Sequence, residues 1–295
     1  MPKTSLLRRP NTAAVELTAL SAPAVIFTVA MIAFPFAYAV WLGFHSFSPA
    51  VQPRFVGLDN YLKLAGDGEF WNGLYVTFAL YFLALALQLI AGIYLAVLLF
   101  NAKQLSGIVR SLFISPIMLP SAVAGMMWLV ILDPSIGAAN YLLTSIGLPP
   151  SEWLASPTWV IPTIAIIDTW HWAPYVALIV LGGLQSLPSN VFEAAQIDGA
   201  SPARTFWRIT LPLLLPTIVT ATVLRSVDLL RFFDIIYITT QGGPGNASNT
   251  LNVYGFKIGF EYFNLGYASA LMLTLSAIVF GVVLTLNRLR SSVAW

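Results

Sequence analysis

Arg225, Asp228, Arg231 and Asp234 alternate in sign at three-residue intervals near the end of a long apolar stretch, and Asp168 and His171 stand three apart inside another. Residues three apart share a helix face, so on one helix each charge can reach the next and the set drifts around the surface. Charges in an apolar stretch either pair with one another or face a water-filled path, and both uses are open to these. Trp170, Trp172 and Tyr175 surround Asp168 and His171. Aromatic faces suit the C–H surface of a sugar and polar groups suit its hydroxyls, but the same rings also suit an interfacial anchoring belt. Taken as a path for a polar solute, the set is Asp168, Trp170, His171, Trp172, Tyr175, Arg225, Asp228 and Phe232, with Asp168 and Asp228 facing common solvent.

Other chemistries find no residues to carry them. There is no cysteine, so disulfides, cysteine-ligated zinc and thiol catalysis are excluded together. His45 and His171 are the two histidines and lie far apart, which leaves no metal site to expect. No base-activated nucleophile is evident, and none of Lys3, Lys63, Lys103 and Lys257 follows a glycine, as a phosphate-binding loop requires. The chain is expected to be non-catalytic and to bind no cofactor of its own.

The elements that hold these residues are set by composition. Of 295 residues, 58% are hydrophobic and 9% charged, where a soluble domain has about 25% charged. The bilayer is the solvent for most of such a chain, and a net charge of +2 with scattered basic residues gives no nucleic-acid signal. Uncharged stretches long enough to cross about 30 Å of hydrocarbon as helix run near Leu17–Leu42, Trp71–Phe100, Ser111–Leu132 and Leu265–Leu286. Pro157–Leu184 is interrupted by Asp168 and His171, and the stretch opening at Leu211 meets the four alternating charges before ending near Thr240. Six helical spans are expected, in an all-α membrane protein. The run from Leu17 to Phe44 is too long for the apolar core of a signal peptide and is expected to stay as an anchor.

Between the fourth and fifth stretches lies EAAQIDGASPARTFWRITLP, Glu193 to Pro212. Asn190 can cap a short helix with Glu193 reaching back to the first-turn amides, and Gly199 can end it in the left-handed conformation. Ser201 and Pro202 can then start a second helix. Val191, Phe192 and Ile197 offer apolar knobs beside the shallow face of Ala194 and Ala195.

The order Glu193-Ala194-Ala195, Asp198-Gly199, Ile209, Leu211-Pro212 resembles the EAA signature of the membrane subunits of ATP-binding-cassette importers. The phrases FVGLDNY (Phe55–Tyr61), GAANYLL (Gly137–Leu143), LQSLP (Leu184–Pro188), DGAS (Asp198–Ser201), RFFDIIYITTQGGPG (Arg231–Gly245) and GYASA (Gly266–Ala270) follow in order and are similar to the carbohydrate-uptake permeases of the maltose and glycerol-phosphate type. The resemblance implies the type I importer permease fold and a path for a sugar or other polar solute delivered by an external binding protein. It also implies a second permease subunit, usually a related one, and two cytoplasmic ATPase subunits that bind ATP and Mg. The eight signature residues named above would then dock in a cleft of an ATPase subunit.

Basic residues orient this bundle. Lys3, Arg8, Arg9, Lys103, Arg110, Arg204, Arg208, Arg288 and Arg290 fall on one side, and Arg54, Lys63 and Lys257 on the other. By the positive-inside rule both termini and the Glu193 element are cytoplasmic. The resemblance implies the cytoplasmic membrane of a bacterium or archaeon. The expected organisation is a cytoplasmic tail over 1–16 and a membrane domain over 17–295, with its core at about 71–287 and the coupling element at about 189–212. The rival is an ion-gradient-driven secondary transporter or channel working through Asp168, His171 and the charge series. The full EAA spacing and the lack of an obvious inverted repeat argue against it.

Overall fold

The structure, a computed structural model, describes residues 12–49, 51–102 and 107–293. It is a bundle of long apolar helices. Helix α1 (Thr12–Gly43) leads into a hairpin of β1 (His45–Ser48) and β2 (Val51–Phe55), then α2 (Asp59–Gly66) and the long α3 (Gly68–Asn101). Next come α4 (Gly107–Ile114) with a 3-10 turn over Ser115–Met118, α5 (Ser121–Ile131), α6 (Ala138–Ser145) and α7 (Val160–Ser186). The remainder is α8 (Ser189–Ile197), α9 (Pro202–Thr205), α10 (Leu211–Leu230), α11 (Asp234–Thr239), α12 (Leu251–Phe256) and α13 (Leu265–Val293).

Among the described residues five helical segments are long and apolar enough to cross a membrane, or six if one bent pair is counted as a single span. The third stretch, expected as one span over Ser111–Leu132, is bent by 105° between Arg110–Met118 and Ser121–Ile131. Pro116 and Pro120 account for the break, since neither has an N–H to continue a helix. The fifth span begins earlier than Leu211: α9 continues through a π turn at Phe206–Thr210 into α10. Pro212 cannot donate to the Arg208 carbonyl, and the widened turn lets the Leu211 amide pair with Phe206 instead. Helix α1 starts at Thr12, ahead of the expected span. Lys3, Arg8, Arg9 and Lys103 lie outside the described residues.

Among the described residues the strands are confined to the β1–β2 hairpin, which pairs His45 with Phe55 and Ser46 with Arg54 in antiparallel register. Buried Asn60 fastens it, donating to the carbonyls of Gly43 and His45. Asn140 does the same for the 133–156 loop: it donates to the carbonyls of Pro134 and Ser151 and accepts from the Ser151 amide and the Trp153 indole. Two of the phrases noted in the sequence thus centre on an asparagine that closes a loop.

The core is built around α3 and α7. Gly92 lets them touch, because a Cβ there would come within 2.6 Å of Val176. Above that contact Leu80, Ala84, Ile164 and Ile167 are buried together with Leu229, Leu230, Leu271 and Leu275 of α10 and α13. Among the long helices α1 packs chiefly on α13, and it leaves Phe27, Ile32 and Phe34 exposed, as befits an outer span facing lipid.

Candidate functional site

Helix α10 rises about 30 Å over its twenty residues, so its charged end stands a membrane's thickness from Leu211. At that end α7, α10 and α13, with parts of α1, α5, α11 and α12, line an open cavity of about 750 Å³. Asp168, Trp172, Arg225, Asp228, Arg231 and Asp234 line it, and Phe232, Phe233, Phe256 and Phe260 make much of its apolar wall.

A buried polar group holds the inner side of this cavity. Gln88 on α3 donates to Asp168 Oδ2 (2.6 Å) and accepts from Arg225 Nε (2.8 Å). Arg225 Nη2 lies 3.2 Å from Asp168 Oδ2 and its Nη1 3.2 Å from Asp228 Oδ2, while the guanidinium carbon sits 4.4 Å from the centroid of Trp172. Gln88, Asp168 and Arg225 are all buried, whereas Asp228 is half exposed to the cavity. Each charge faces an opposite charge or an amide, although Asp168 Oδ1 is left without a donor.

The four alternating charges do not form one spiral. Helix α10 ends at Leu230, Arg231–Phe233 is non-helical, and Asp234 opens α11. Among the described residues, the ion pairs of this region are Arg225–Asp168 and Arg225–Asp228. Arg231 instead donates from Nε to the Val227 carbonyl, and Asn252 donates to the Arg231 carbonyl.

Of the residues proposed from sequence to contact solute, the fold gathers Asp168, Trp172, Arg225, Asp228 and Phe232 on the cavity wall. Trp170 turns to Trp128, with ring centroids 5.5 Å apart, and Tyr175 meets the edge of Trp172 at 5.7 Å. His171 is buried, with Nε2 2.9 Å from the Leu119 carbonyl at the break of the third span. None of these three lines the cavity. Gln88 was missed, although an amide within an otherwise apolar span is itself a signal of internal pairing. Phe233, Phe256 and Phe260 were missed because aromatic residues in a span carry no mark of which face they take.

At the other end of α10 lies the Glu193 element. Helix α8 starts at Ser189 after Pro188, with no side-chain cap, so Asn190 does not cap it as expected. Its end is as the sequence indicated. Gly199 has φ +69°, Ala200 N donates to the Ala195 carbonyl (2.9 Å) and Gly199 N to Gln196 (3.1 Å), the paired closure of a Schellman turn. Ser201 accepts from the Arg204 amide and Pro202 opens α9. Glu193, Ala194 and Asp198 are exposed and Ala195 is buried, while Ile209 and Leu211 are half-buried and Pro212 is exposed where the segment joins α10. Ile197 is 87% exposed and Trp207 66%, which leaves two large apolar side chains uncovered beside the turn.

Residues 88–289 match the family described as the binding-protein-dependent transport system inner membrane component. The chain belongs to that family. The matched residues take in the Glu193 element and all of the cavity wall except Ala39. The chain is 36% identical over 247 residues to the trehalose/maltose transport system permease protein MalF of Thermococcus litoralis, covering 83% of this chain and 82% of the relative. It is 34% identical over 274 residues to the sulfoquinovosyl glycerol transport system permease protein SmoG of Agrobacterium fabrum, covering 91% and 89%. In fold it matches a chain in the crystal structure of a bacterial alginate ABC transporter in complex with an alginate pentasaccharide-bound periplasmic protein, with a TM-score of 0.83 over 94% of each chain at 22% identity. The chain is therefore a permease subunit of an ABC importer, with the type I importer permease fold, and the secondary-transporter alternative is set aside.

Proposed function

We propose that this permease subunit carries a sugar or oligosaccharide inward across the cytoplasmic membrane of a bacterium or archaeon, with the 750 Å³ cavity as its part of the path. The observation that carries this reading is the cavity wall: charged groups held by a buried network stand beside an aromatic surface, which together suit hydroxyls and C–H faces. The sugar-permease relatives support the solute class.

In this reading a second, related permease subunit supplies the other wall of the path, an external binding protein delivers the solute, and two cytoplasmic ATPase subunits bind ATP and Mg. Glu193, Ala194, Ala195, Asp198, Gly199, Ile209, Leu211 and Pro212 form the element that docks on an ATPase subunit, with Ile197 and Trp207 as its apolar contacts. Helix α9, the π turn and α10 form one continuous helical path from that element to Arg225 and Asp228. A pull on the docked element is thereby transmitted to the cavity wall as a movement of α10. ATP and solute bias the same two-state bundle, which couples them.

The test is transport in proteoliposomes. This chain alone should neither hydrolyse ATP nor accumulate maltose, trehalose or related oligosaccharides. Uptake should require the partner permease, the ATPase subunits and the loaded binding protein together. Active uptake by the lone chain would overturn the reading.

A further inference from the structure

We infer that the cavity selects neutral solutes that donate hydrogen bonds and repels sugar acids, sugar phosphates and sulfonated sugars. The inference rests on the cavity being the transport path. Three carboxylates, Asp168, Asp228 and Asp234, line it against two guanidiniums, Arg225 and Arg231. Arg225 is already committed on all sides: Gln88 holds its Nε, Asp168 and Asp228 hold its two Nη atoms, and Trp172 lies against its face. Among the lining residues this leaves Arg231 as the cation open to the cavity, flanked in the chain by the exposed Asp228 and Asp234.

A separate observation points the same way. Asp168 is fully buried and lines the cavity, yet its Oδ1 has no hydrogen-bond partner among the described residues. A buried carboxylate oxygen needs a donor. Oδ1 is sealed from solvent behind the wall, so it acts on a solute through its uncompensated negative field, which disfavours a carboxylate, phosphate or sulfonate beside it. Family membership leaves this choice open, since the two sugar relatives are named for trehalose and maltose and for sulfoquinovosyl glycerol.

The chain has no cysteine, so Ser269→Cys places a single thiol on the cavity wall. The variant is assembled with cysteine-free partner permease and ATPase subunits in nanodiscs, with and without trapped ATP. The thiol is then treated with methanethiosulfonates bearing a trimethylammonium, a sulfonate or no charge, and each rate is divided by that reagent's rate with a free thiol in solution. The cationic reagent should react at least tenfold faster than the anionic one in the state that admits both, and the ratio should fall severalfold in Asp228→Asn and in Asp234→Asn. Equal rates, or a faster sulfonate, would overturn the charge selection while leaving the path intact. Reaction with none of the three in either state, with an Ile136→Cys control fully modified, would show a cavity closed to water. That result would overturn the path and the inference with it.

Discussion

Arg225 and Asp168 stand 57 residues apart, yet Nη2 of one lies 3.2 Å from Oδ2 of the other, and neither side chain exposes more than 2% of its surface. Removing one partner leaves a buried charge uncompensated, which costs about 3–5 kcal/mol. Asp168→Ala and Arg225→Ala should each lower the yield and the Tm of the assembled complex. The double variant Asp168→Leu with Arg225→Met should recover part of the loss. Asp228 is half exposed, so Asp228→Ala should keep a near-normal yield while uptake falls severalfold. Fluorescence-detected gel filtration run beside transport decides, and a matched fall of both for Asp228→Ala would retire its role in solute contact.

Gly199 closes α8 at φ +69°, and an added Cβ would meet no atom within 4 Å. The cost of Gly199→Val is therefore confined to the backbone, about 1–2 kcal/mol, and falls on the turn rather than the bundle. The complex should assemble, but its ATP hydrolysis should respond weakly to loaded binding protein. Normal stimulation in Gly199→Val and also in Ala195→Asp would show that the element does not couple.

Outside the spans, Asp67 caps α3 and accepts hydroxyl hydrogen bonds from Tyr254 and Tyr267, which joins α3, α12 and α13. Burial pushes its carboxyl up, but the two hydroxyls and the amides of Glu69 and Phe70 outweigh this and hold it below the ordinary carboxylate value. A depressed pKa gives stability that is complete above the unfolded value of about 4 and is lost as pH falls through the folded one. The Tm difference between wild type and Asp67→Asn should stay constant from about pH 8 to pH 5 and shrink only below about pH 4. A gap that closes already near neutrality would exclude this role for Asp67.

Ile136 and Ile197 are 86% and 87% exposed, on opposite sides of the expected topology. In oriented vesicles holding the permease without its ATPase subunits, an impermeant thiol reagent should reach Ile136→Cys only from outside and Ile197→Cys only from the cytoplasmic face. The reverse pattern would invert the whole arrangement.

Much of this was legible in the sequence for physical reasons. Long uncharged runs have one stable form in lipid, so the five long spanning helices followed from length, and Gly199 followed from the cap chemistry of Asp198-Gly199-Ala200-Ser201. The bend in the third span was hidden because its proline-flanked turn is as apolar as a helix. The charge series was misread as one spiral because three-residue spacing holds only while the helix lasts, and α10 stops at Leu230. Which rings face the cavity was not legible: Trp170 and Trp172 are two apart on α7, and only the packing of Trp128 and Arg225 separates them.

The break at Leu119 is completed by a residue its own segment does not contain. Its carbonyl finds a donor in His171, 52 residues further along. An unpaired carbonyl in hydrocarbon costs several kcal/mol, so the bend and α7 form one structural unit, and the shape of the earlier segment rests on a side chain of the later one.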